Sequence, residues 1–157
     1  MSTASHPWVH AESQPDAPAV IMDDGTTVSY EQLRDRSNRG ARFLRARGLA
    51  PGDHIAIFMD NAPGFFEVAW AAQSAGLYYT PINRHLRPAE VEYILEDCGA
   101  RAVVVSRDLA EVAAEVSGGC PLRVSIGGAA AGFESWEEQL AAQPADPFED
   151  AREGREM

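Results

Sequence analysis

Residues 86–106, "LRPAEVEYILEDCGARAVVVS", decide the fold. Pro88 sits where a first helical turn tolerates it, and Val91, Ile94, Leu95 and Cys98 recur at i, i+3, i+4 and i+7. Gly99 supplies the stop, and "AVVVS" follows as an unbroken β-branched run with no polar alternation. A helix feeding a strand that is apolar on both faces is the crossover unit of a parallel, doubly covered sheet. The unit recurs on both sides. "HIAIFM" and "YTPIN" read as strands, separated by "PGFFEVAWAAQS", a helix apolar nearly all round with Glu67 and Gln73 as exceptions. Downstream, "RDLAEVAAEVS" reads as a short amphipathic helix, "PLRVSIGG" as a strand and "ESWEEQL" as a helix opened by capping-box spacing from Ser135 to Glu138.

Upstream, Asp23-Asp24-Gly25 separates two short β runs, a hairpin signal over residues 19–30. Ser29 and Gln32 have capping-box spacing, so the second run leads straight into a helix. On that helix Leu33, Ser37, Gly40, Ala41 and Leu44 share one face, Arg39, Arg42 and Arg45 lie opposite, and Gly48 ends it. The arginines read as a solvated face with packed aliphatic stems. The expected fold is therefore α/β: a mostly parallel sheet with helices on both faces, preceded by a β-hairpin. The expected core includes Leu33, Leu44, Ile55, Ile57, Val68, Ala72, Ile94, Leu95, Val103 and Val105. The expected organisation is an irregular N-terminal arm over 1–18, an α/β unit over 19–145 and a linker over 146–157.

Composition narrows the function. The 157 residues suit one domain or a large piece of a bigger one. A net charge of −11 argues against nucleic acid. All thirteen basic residues are Arg, so no Walker-type GxxxxGK(S/T) loop and no Schiff-base lysine can exist here. The N-terminus lacks the basic start and apolar run of a signal peptide, and the longest apolar stretch is too short to span a bilayer. Cys98 and Cys120 read as reduced, unbridged thiols of a cytoplasmic protein.

The chemical motifs are sparse. His6, His10, His54 and His85 are read as no metal set, with one another or with cysteine. His85 lies on a strand-to-helix loop and reads as a loop residue bonded to backbone. "SIGGAAAG", residues 125–132, lacks the GxGxxG pattern and reads as loop filler rather than a phosphate cradle. Residues and spacing alone describe a soluble α/β domain.

Four stretches in order add a function. "TVSYEQLRDRSNRGARFLRARGLAPGDHIAIFMDN", "FFEVAWAAQSAGLYYTPIN", "LRPAEVEYILEDCGARAVV" and the terminal "EGREM" together resemble the N-terminal part of the AMP-forming acyl-CoA synthetases, within the adenylate-forming enzyme superfamily. The resemblance covers residues 15–157, and Asn83-Arg84 after "YTPI" looks like the acyl-CoA branch rather than the amino-acid-activating one. It implies an incomplete AMP-binding domain over 19–145. It also implies a full-length parent that joins a carboxylic or fatty acid to CoA through an acyl-adenylate, using ATP, Mg and CoA. The family's phosphate-binding loop and C-terminal domain would follow residue 157, so no residue here is expected to be catalytic, cofactor-binding or metal-ligating. The isolated chain is expected to be inactive and prone to self-association. The alternative is a stand-alone α/β binding or regulatory module without catalysis.

Overall fold

A computed structural model of the chain describes residues 6–144 and 146. Strands β1 (Pro18–Ile21) and β2 (Thr27–Ser29) form an antiparallel hairpin. Gly25 turns it at φ 86°, and the Asp24 carboxylate accepts the Thr26 N–H at 2.8 Å. That bond holds the exposed Asp24 carboxyl below its ordinary pKa. Helix α2 (Tyr30–Ala46) starts on a complete capping box: the Gln32 N–H donates to Ser29 Oγ at 3.2 Å and the Ser29 N–H to Gln32 Oε1 at 3.0 Å.

Then follow β3 (His54–Phe58), α3 (Pro63–Ser74), β4 (Tyr78–Ile82), α4 (Pro88–Asp97), β5 (Ala102–Ser106), a 3₁₀ turn, α5 (Ala110–Val116), β6 (Leu122–Ile126), β7 (Glu134–Ser135) and α6 (Trp136–Ala141). Strands β3 to β7 make one sheet in the order β4-β3-β5-β6-β7, parallel throughout. Side chains alternate across it. Ile55, Ile57, Val104 and Val124 face α2, α3 and α6, while Ala56, Phe58, Val103 and Val105 face α4 and α5. Both faces are thus covered, which is why the central strands β3 and β5 carry no polar alternation. A separate small cluster of Val20, Val28 and Leu33, with Trp70 against it, seats the hairpin on α2 and α3.

The expected core residues are buried, except Ile94, which is half-buried beside its cluster. The stretch read as an irregular arm contains a helix, α1 (Pro7–Ser13). Pro7 opens it, His6 Nδ1 accepts the Trp8 N–H, and the His6 and Trp8 rings pack with Trp70. Strand β7 was likewise not expected; two residues are too few for a pattern.

The arginine face of α2 also differs from expectation. It turns toward the segment leaving α6 rather than to open solvent. Arg39 Nη1 donates to the carbonyls of Leu140 and Gln143 at 3.4 and 2.6 Å, Arg42 to that of Asp146, and Arg47 pairs with Glu134 at 2.6 Å. A clasp of charged donors on orphan carbonyls satisfies the end of α6. Of the stretch read as a linker, only Asp146 lies among the described residues; the "EGREM" motif lies outside them.

Candidate functional site at the carboxyl edge of the sheet

From β3 the chain goes to β4 on one side and then to β5 on the other. The loops after β3 and β5 therefore diverge and leave a crevice at the carboxyl ends of the strands, where doubly wound sheets bind ligands. A cavity of about 650 Å³ lies there, within the range of small-molecule sites. Met59 and Asp60 come from the end of β3, Gly64 and Glu67 from α3, Ser106 from β5, and Ile126 and Gly127 from β6. Trp136 and Leu140 of α6, with Arg36 of α2, complete the wall. A second cavity of about 1110 Å³ adjoins it between α5 and the glycine-rich loop, sharing Ser106, Ile126 and Gly127.

Glu67 is 7% exposed, and its two oxygens are separately engaged. Arg36 Nη1 meets Oε1 at 2.8 Å, and the fully buried Trp136 indole N–H donates to Oε2 at 3.4 Å. This network ties α2, α3 and α6 together beside the crevice. On the far side Arg84, just after β4, pairs with Asp60 after β3 and Asp108 after β5, so one guanidinium links three strand exits. The Ser106 hydroxyl is buried with no hydrogen-bond partner.

The glycine-rich loop does not present a phosphate cradle. The Gly127 N–H donates to Glu137 Oε1 at 2.6 Å, so a carboxylate already takes the donor. Gly127 and Gly128 have φ of 84° and 133°, and a Cβ on Gly128 would come 2.8 Å from Arg107 Cδ. Arg36, Arg39 and Arg84 are likewise committed to partners.

His85 is exposed, and its backbone N–H donates to Asn83 Oδ1. His54 stacks near Tyr78, and His10 near Tyr30. His6 caps α1 and His10 lies one turn on in it, His54 opens β3, and His85 follows β4. Among the described residues no three His, Cys, Asp or Glu gather as metal ligands. Cys98 and Cys120 are both free; burial pushes the Cys120 thiol up to about 11. No described helix is long and apolar enough to cross a membrane.

Sequence reasoning did not single out Glu67, Arg36 or Trp136 as a unit. The signal was there: Glu67 is the acid in an otherwise apolar helix, and a buried acid needs a cation.

Comparison with known proteins fits this architecture. The family model described as AMP-binding enzyme matches residues 8–154. A fatty acid–acyl-carrier-protein ligase of Streptomyces coeruleorubidus is 33% identical over 128 residues, 82% of this chain and 24% of the relative. A feruloyl-CoA synthase of an Amycolatopsis species is 36% identical over 123 residues, 78% of this chain and 25% of the relative. The crystal structure of a benzoate CoA ligase from Burkholderia xenovorans superposes with a TM-score of 0.81 at 26% identity, over 96% of this chain and 30% of that one. The chain thus spans about a quarter of the length of the curated relatives it matches.

Proposed function

We propose, on the premise that this chain belongs to the AMP-binding enzyme family as the N-terminal part of an adenylate-forming acyl-CoA synthetase, that it serves as the first lobe of an acid–CoA ligase. In the whole protein a carboxylic acid would be activated by ATP to an acyl-adenylate, and a thiol would then displace AMP. The supporting observation is the family match across residues 8–154, carried on a sheet of the same fold. The relatives named for fatty-acyl, feruloyl and benzoyl substrates support an organic acid with an apolar body. Two unbridged cysteines favour the cytoplasm as the working compartment.

This lobe's share is structural. Adenylation needs donors and Mg²⁺ aimed at the charge that builds on the phosphates. Arg36 and Arg84 beside the crevice are paired, the chain has no Lys, and a net charge of −11 repels ATP. The domain division follows the same reading: an incomplete AMP-binding unit over 19–145, then a linker over 146–157. The residues of ATP, Mg and CoA binding would belong to the remainder of the parent.

ATP–pyrophosphate exchange tests this with octanoate, benzoate and ferulate. The 157-residue chain is expected to give none. A longer product, read from the coding DNA beyond Met157 through a phosphate-binding loop and C-terminal domain, is expected to give exchange. Exchange by the short chain would refute the division of labour. A stop codon after Met157 with a monomeric, well-folded product would favour the stand-alone binding module instead.

A further inference from the structure

We propose that the crevice at the switch between β3 and β5 binds an uncharged alkyl or aryl group carrying one hydrogen-bond acceptor. The proposal rests on the ligase reading in one respect: such a group is the non-reacting body of an organic acid, held away from its carboxylate.

The charge state of the wall selects a neutral guest. Glu67 is held by Arg36 and the Trp136 indole, and Asp60 by Arg84. Glu137 accepts from the Gly127 N–H, and Arg39 is spent on backbone carbonyls. An entering anion would face three carboxylates and find guanidiniums already engaged. An entering cation would have to draw a carboxylate from its partner. Drawing Arg36 away would leave the Glu67 carboxylate, its side chain only 9% exposed, without its cation, and drawing Glu67 away would take the acceptor from the buried Trp136 indole; either costs more than a neutral contact gains.

The rest of the wall is apolar: Met59, Ala62, Gly64, Ile126, Trp136 and Leu140. Gly64 lets the first turn of α3 approach the exit of β6, where a Cβ would meet Ile126 Cδ1 at 2.5 Å. The cavity is therefore a slot between a helix start and a strand end, suited to a flat ring or a chain. One polar group on it is unmatched. Ser106 lines both cavities, and its hydroxyl is buried without a partner. A buried donor left alone is unfavourable, and an acceptor on the guest would relieve it.

Three probes of one shape separate the charge states: anisole, benzoate and benzylamine. Each is titrated into the ¹⁵N-labelled chain at pH 7, without ATP or CoA. Anisole is expected to shift the amides of Gly64, Ser106 and Gly127 and the Trp136 indole N–H. Its apparent affinity is expected to exceed that of benzoate and benzylamine by about fivefold or more, a difference of roughly 1 kcal/mol. Ala141→Trp, at an exposed position on the rim, is expected to abolish the shifts while leaving the spectrum folded. Ser106→Ala is expected to weaken anisole about threefold or more, the value of one modest hydrogen bond. Equal or tighter binding of benzoate would overturn the proposal. So would unchanged affinity in Ala141→Trp, or shifts scattered outside the crevice, which mark adventitious binding only. Those failures would leave the ligase reading standing, because no ATP-dependent step is measured.

Discussion

Gly40 is where two helices and an indole converge. A Cβ built there would lie 2.7 Å from two Trp136 ring carbons and 2.8 Å from the Ala71 Cβ. Gly40→Ala gains about 1 kcal/mol of helix propensity. It forces apart a contact that cannot yield, because the indole is fully buried and pinned to Glu67. Overpacking of this kind costs about 1–3 kcal/mol. The expected outcome is a net loss of about 1 kcal/mol, the middle of that balance, read as a lower urea midpoint with an unchanged slope. An unchanged or raised midpoint would show that α6 moves aside freely. The packing face of α2 was legible in the sequence, since Leu33, Ser37, Gly40, Ala41 and Leu44 share one helical face and all are buried. The partners of that face were not. Nothing local ties Arg36 to Glu67 thirty-one residues on, or Trp136 to Glu67 from sixty-nine residues away.

Strength of signal separated the elements that sequence revealed from those it did not. The capping box at Ser29, the Asp-Gly turn and the helix stop at Gly99 are local chemistry, and each appears where the spacing places it. Helix α1 and strand β7 span seven and two residues, too few to show a period, and tertiary contacts with Trp70 and β6 hold them. Ser29 tests how much a local signal contributes, because it ends β2 and caps α2 at once. Ser29→Ala removes the acceptor for the Gln32 N–H and is expected to cost about 1 kcal/mol. That corresponds to a melting temperature lower by about 3 °C for a domain of this size. Ser135→Ala is the internal comparison. Its cap is longer, at 3.4 Å, and lacks a reciprocal bond, so its loss is expected to be smaller. The reverse order in calorimetry would contradict the reciprocal account.

At the scale of the whole molecule, alternation and apolar runs were enough for a parallel sheet covered on both sides, and the four resembling stretches were enough for the family. The strand order was beyond them, because β4 and β5 are equally good neighbours for β3 by composition. The order has a consequence in time. Strand β3 pairs with β4 across a short helical connection, His54 with Tyr78, but with β5 across a span about twice as long, Ile55 with Ala102. Doubling a loop adds about 0.6 kcal/mol of closure entropy, and non-local pairings form late. The β3–α3–β4 unit is therefore expected to assemble first, with the β5–β6 half joining it afterwards. Ile82→Val should then slow folding more, relative to its cost in stability, than Val124→Ala, and stopped-flow refolding would show the opposite if the far half nucleates. The crevice between β3 and β5 is then a seam: the line along which the two halves of the molecule meet, closed last in folding and open first when the protein loosens.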